Sequence, residues 1–258
     1  MVAEERTVRR LREAVLVAAM VVLSGCGHQV TGLGEANGGI VPSGQTLIRF
    51  ETNGQPDFSN FSYLIVFNTS GNGHVPYALG YNSNYTDWSF AILVGGGPNF
   101  ANSPVVFQYF ADASQAGGVN RRTLGYATGT LNFSVLSPTS AATYGFDIRF
   151  NRCILDFPSP INTTGQPTPA PSPHPVGQSC PPFFYLLSST WVMNMFTVDT
   201  TNTVVDSLGN GPSDTSYPGF ILNTAATLPG QSYIKPVTGS GPQNPSAAIY
   251  GVVVFNTP

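Results

Sequence analysis

The chain has 258 residues, 41% of them hydrophobic and only 9% Asp, Glu, Lys or Arg, with a net charge of −3. That apolar content excludes a permanently disordered polymer, because burying it can offset the entropy of ordering the backbone. Past residue 25 only six basic side chains stand against ten acidic ones, near −4, and only Arg121 and Arg122 adjoin, which excludes nucleic acid as a partner.

Residues 1–13 are polar and carry Arg6, Arg9, Arg10 and Arg12; the apolar run Ala14–Leu23 follows, then Ser24-Gly25-Cys26. A bilayer-spanning helix needs about 20 apolar residues, so this shorter run reads as the core of an export signal with a small-residue cleavage site. The four residues Leu23-Ser24-Gly25-Cys26 resemble the lipobox of bacterial lipoproteins. The resemblance covers about a tenth of the chain, residues 1–26. It implies a signal peptide over 1–25, acylation of Cys26 and anchoring of the exported protein to the cell envelope; two or three acyl chains make such anchoring durable. In two-membrane members of that family, Asp after the cysteine commonly signals inner-membrane retention, so Gly27 favours the outer membrane. Residues 26–44 are Gly-rich without an apolar period and read as a flexible tether, with His28 solvated in it.

From residue 45 onward the dominant period is two, that of a strand with one face on a core. Strands are predicted at Thr46–Glu51, Phe61–Asn68, Tyr85–Val94, Val105–Ala111, Thr130–Leu136 and Tyr144–Asn151, and then at Trp191–Asp199, Thr203–Leu208, Gly219–Asn223, Tyr233–Val237 and Ala247–Asn256. In the third of these, Trp88, Phe90, Ile92 and Val94 share one face. The phase slips after Asn151, which predicts a bulge or tight turn near Arg152. Gly- and Asn-rich turns such as Asn53-Gly54, Gly71-Asn72-Gly73 and Gly209-Asn210-Gly211 separate many strands. The turn of Val66–Gly73 is echoed at Val205–Gly211, which shared turn geometry explains better than duplication. The expected fold is all-β: a β-sandwich of roughly ten or more short antiparallel strands in a single domain, 45–258.

Residues 158–182 are Pro-rich, with proline at alternate positions from 167 to 175, which prevents helix and sheet pairing. This stretch is either a linker between domains at 44–157 and 181–258 or a long surface loop. Cys153 and Cys180 flank it and favour the loop. A disulfide between them would close about 28 residues and be worth about 3.5 kcal/mol in the chain-entropy estimate.

Catalytic signatures are sparse. Of the three histidines, His28 and His174 lie in the tether and the Pro-rich loop, leaving His74 alone for a triad. No nucleophile elbow, zinc-hydrolase, phosphate-loop or dinucleotide fingerprint occurs. Glu51 and Asp87, Asp112, Asp147, Asp156, Asp199 and Asp206 are spread without an evident pair. A weak calcium-ligand candidate is Asp199-Thr-Thr-Asn202. No catalytic, cofactor or metal residue is assigned. The segment with most binding character is Tyr77–Trp88, where Tyr77, Tyr81, Tyr85 and Trp88 could stack on sugars beside Asp87, although the rings also suit sheet packing. Two expectations follow: a non-catalytic, lipid-anchored envelope protein, structural or adhesive, with a glycan or envelope protein as partner; or a carbohydrate-binding surface module.

Overall fold

The computed structural model describes residues 41–77, 87–95, 103–112, 114, 119–126, 129–136, 143–155, 189–212, 214–236 and 242–258. They fall in one unit, Gly39–Pro258. The expected signal segment with Cys26, the expected tether through residue 40, Tyr81, Tyr85, and the Pro-rich stretch with Cys180 lie outside the described residues.

Among the described residues there are twelve strands and no α-helix: β1 (Gln45–Thr52), β2 (Phe61–Asn68), β3 (Phe90–Gly95), β4 (Val105–Ala111), β5 (Val119–Leu124), β6 (Leu131–Leu136), β7 (Tyr144–Asn151), β8 (Thr190–Asp199), β9 (Val204–Ser207), β10 (Phe220–Asn223), β11 (Leu228–Ile234) and β12 (Ile249–Thr257). Every pairing is antiparallel. One sheet has five strands, β11-β12-β1-β7-β6; the other has seven, β10-β8-β2-β3-β4-β5 with β9 also on β8. The two pack face to face as a β-sandwich.

Alternation creates the inner faces. Ile48 and Phe50 of β1 lie opposite Ile148 and Phe146 of β7 and Val254 and Val252 of β12. Against them the larger sheet presents Tyr63, Ile65 and Phe67 of β2, Phe90 and Ile92 of β3, and Trp191, Met193 and Met195 of β8. These side chains are at most 1% exposed, and each such burial contributes about 1.5–3 kcal/mol. Aromatic edges lock the layer: Phe50 stacks on Phe146 at 5.0 Å, and Phe67 meets Trp191 edge-on at 6.0 Å. Burial pushes the Tyr63 phenol well above its ordinary pKa, and the neutral hydroxyl donates to Ser246 O at 2.8 Å while accepting from Asp57 N at 2.9 Å.

The seven-stranded sheet is buried on its other face too. Leu64, Val66, Ala91, Phe196 and Val198 form a second cluster there with Trp88 and Tyr109. This explains why β2 reads as an unbroken apolar run rather than a strict alternation. It also corrects the placement of Trp88: β3 begins at Phe90, not Tyr85, so the period-two phase does not reach back to Trp88. Its ring lies across the sheet from Phe90, Ile92 and Val94, stacked on Phe196 at 5.6 Å and 6° and edge-on to Tyr109 at 5.4 Å.

Two other differences have local causes. Strand β5 (VNRRTL) carries adjacent arginines and no alternation, so it escapes a periodicity reading. Strand β11 was expected at Tyr233–Val237 but starts at Leu228, because Pro229-Gly230 forms a bulge with Gly230 at φ 124°. The predicted break near Arg152 is a 3-10 turn, Arg152–Leu155.

Candidate functional site

The end of the seven-stranded sheet that carries Tyr77 and Trp88 is built outward from Asn68, the last residue of β2. Its Oδ1 accepts from Ser70 N and Ser70 Oγ, while its Nδ2 donates to Asn72 Oδ1 at 2.7 Å and His74 O at 2.9 Å. Gly71 and Gly73, at φ 78° and 76°, let the chain turn this tightly. Next, Asn194 of β8 donates to Pro76 O at 3.0 Å and holds the exit of the turn against the sheet. Tyr77 is half-buried, with its hydroxyl 3.3 Å from Tyr217 O. At the far end of the segment, Asp87 Oδ1 lies 2.7 Å from His74 Nδ1, and Trp88 Nε1 donates to Tyr77 O at 3.3 Å. The base of the Tyr-rich segment is thus clasped shut. His74 is 63% exposed, so the clasp is worth at most about 1 kcal/mol.

Of the five candidate binding residues, the structure brings Tyr77, Asp87 and Trp88 together. Trp88 is 4% exposed with a face on Phe196, so its ring packs the second cluster and is not an open stacking platform. Tyr77 and Asp87 keep partial exposure. Tyr81 and Tyr85 lie outside the described residues.

Four aspartates organise loops by one recurring device. Asp57 accepts from the backbone N–H of Ser59 and Asn60 and from Asn60 Nδ2 at 2.6 Å. Asp112 accepts from Ser114 N, Ser114 Oγ at 2.6 Å and Asn120 Nδ2. Asp199 accepts from Thr201 N, Thr201 Oγ1 at 2.7 Å and Thr203 N, and Asp214 from Asn210 N, Ser216 N and Ser216 Oγ. The side-chain donors Asn60, Ser114, Thr201 and Ser216 are the leading cause that holds each carboxyl below its ordinary pKa. The Asp199–Asn202 stretch, a weak calcium candidate, is therefore a side-chain-capped turn with Asn202 at φ 69°. Among the described residues no three His, Cys, Asp or Glu side chains gather in a metal-binding group.

The other acids meet basic groups or the interior. Arg49 and Asp147 form a two-pronged pair at 2.8 and 2.9 Å on the outer face of the smaller sheet. Lys235, the only lysine, pairs with Asp206, which is 1% exposed and also accepts from Ile249 N at 2.8 Å. Because β9 belongs to the larger sheet while Lys235 directly follows β11 and Ile249 opens β12 of the smaller one, this pair bridges the sandwich. A second bridge centres on Arg152, 4% exposed, whose Nη1 donates to Thr224 O at 2.6 Å and Asn256 Oδ1 at 2.8 Å. Asn256 in turn accepts from Thr46 Oγ1 and donates to Ala226 O. Together they fasten the turn that carries the chain from β10 to β11. Glu51 is 8% exposed, and burial pushes its carboxyl up, with Arg49 opposing.

Sequence reasoning missed Asp57 and Asp214, although a signal existed. Asp57-Phe-Ser59, Asp112-Ala-Ser114, Asp199-Thr-Thr201 and Asp214-Thr-Ser216 all read Asp-x-Ser/Thr, the spacing that lets a carboxylate cap the backbone and hydroxyl two residues on. Cys153 is 3% exposed; its expected partner, Cys180, lies outside the described residues. The chain matches no family model, no curated protein and no solved structure.

Proposed function

We propose that this chain is a non-catalytic, lipid-anchored cell-envelope protein with a structural or adhesive role, exported and held by Cys26. The observation that carries the reading is how its carboxylates are used. Each of the seven aspartates among the described residues is tied to its own loop or to a basic side chain. Acid–base hydrolysis needs two carboxylates aimed at a shared substrate; these are aimed at their own backbone and neighbours. The product is a set of stiff loops with little charge on a two-sheet frame, suited to display and contact. The Leu23-Ser24-Gly25-Cys26 motif supports the anchor, and Gly27 supports an outer-membrane destination in a two-membrane cell.

The test is complementation. A strain lacking the chain, supplied with an alkynyl palmitate analogue, receives either the intact gene or Cys26→Ala. The intact chain is expected to be labelled, to fractionate with membrane and to restore surface attachment or detergent resistance. Label on Cys26→Ala, or full rescue by it, would overturn the reading.

The second reading, a carbohydrate-binding surface module, is supported by Tyr77, which is half-buried at the start of the segment that Asp87, paired with His74, ends. A glycan array with Tyr77→Ala as control tests it; absence of any glycan signal from the intact chain removes it. We also infer that Cys153 pairs with Cys180, since Cys26 is taken by lipid in this reading and no other cysteine exists.

A further inference from the structure

An open sheet edge is a row of unpaired N–H and C=O groups, and proteins guard such edges with charge, proline, bulges or very short strands. Among the described residues, three of the four sheet edges are guarded. Strand β5 carries Arg121 and Arg122. The opposite edge of that sheet is split into β9 and β10, four residues each. Strand β11 has Pro229 and a bulge.

The fourth edge, β6, is Leu131-Asn-Phe-Ser-Val-Leu136: six residues with no charge, proline, glycine or bulge. Asn132, Ser134 and Val135 are exposed, Val135 at 41%. The pairing with β7 puts Leu131, Phe133 and Val135 in line with Phe150, Ile148 and Phe146, on the core face. Phe133 closes an aromatic cluster, 5.6 Å from both Phe58 and Phe146, and remains only half-buried. The apolar layer of the sandwich therefore runs out to this edge, and among the described residues no further strand pairs with it.

We propose that β6 is a homotypic docking edge, at which two copies of this chain pair β6 to β6 in antiparallel fashion and join their five-stranded sheets into one of ten. The strand is complementary to itself. With a two-fold axis at Phe133, Leu131 faces Val135 of the second copy, Asn132 faces Ser134, and the two Phe133 rings meet. Apolar residues then oppose apolar ones, and polar residues oppose polar ones. A one-residue slip would set Asn132 against Val135, across faces, so the pattern selects the register. A two-fold contact needs this self-complementarity, whereas an unrelated strand would not. The absence of charge on β6 removes the repulsion that two identical charged edges would suffer.

The test uses the full acylated chain in detergent, followed by sedimentation velocity across a wide concentration range. The intact chain is expected to dimerise, and Val135→Lys to weaken the dimer by at least about tenfold by setting a desolvated ammonium against Leu131 of the second copy. The variant keeps Cys26, so acyl chains cannot produce the difference. Because Val135 is already 41% exposed, the far-ultraviolet spectrum should not change. As a second readout, a mixture of Asn132→Cys and Ser134→Cys copies should cross-link under mild oxidation while neither does so alone. A monomeric intact chain, an undiminished Val135→Lys dimer, or cross-linking in the single variants as strong as in the mixture would overturn the proposal.

Discussion

Replacing Lys235 by Met keeps the aliphatic stem and removes the ammonium that faces Asp206. In the native fold Asp206 is 1% exposed and Lys235 11%, so the surviving carboxylate would retain only the N–H of Ile249, at 2.8 Å. Removing one partner of a buried ion pair typically costs about 3–5 kcal/mol, because the other is left uncompensated in a poorly solvated site. The loss falls on a bridge between the sheets, so global unfolding should register it in full. In urea, with a slope of about 2–3 kcal/mol per molar for a domain of this size, the midpoint should drop by about 1–2.5 M at unchanged slope. The double variant Asp206→Asn with Lys235→Met should recover part of the loss, since no buried charge remains; the cycle isolates the pair. If Lys235→Met cost less than about 1 kcal/mol, or the double variant were as unstable as the two singles added together, the bridge would not be holding the sheets.

Glu51→Gln is expected to raise stability at pH 7, because burial lifts the native carboxyl pKa above its unfolded value and so disfavours the charged form. That gain should vanish below about pH 4, where the unfolded carboxyl is also protonated; a gain that grows on acidification would contradict it. Asp199→Asn should behave oppositely: a depressed native pKa contributes stability above the unfolded value and loses it as pH falls through the native one, so the variant should be less stable at neutral pH and flatter in acid. Gly145→Ala should not yield folded protein, since its Cβ would lie 2.0 Å from Phe50 O at φ 149°; a soluble variant with native circular dichroism would refute the packing. Peptide mapping without reductant should show Cys153 linked to Cys180, and two alkylatable thiols would refute that pairing.

Strands with clean alternation were legible in the sequence: β7 separates Tyr144, Phe146, Ile148 and Phe150 from Asp147 and Arg149 without ambiguity, and the structure keeps that division. Strand β5 was not legible because its apolar surface is disguised. The guanidinium of Arg121 lies 4.7 Å from the Phe107 ring centroid and that of Arg122 5.8 Å from Phe110, so charged side chains do the covering. Trp88 was given the wrong face because alternation was extended through residues that are not strand. At the candidate site, local devices such as Asp-x-Ser/Thr could have been read from spacing alone. The contacts that join distant loops could not: His74 and Asp87 are 13 residues apart, Lys235 and Asp206 29, and Arg152 and Asn256 104. Only the sheet topology brings such pairs together, and no short-range pattern encodes it.

The chemical state of the amino terminus tests the proposed anchor on Cys26 most directly. Intact-mass and fragmentation analysis of the protein extracted from native envelopes should find a chain that begins at Cys26 and bears two or three acyl groups. A chain that retains the apolar segment Ala14–Leu23 and carries no lipid would contradict it.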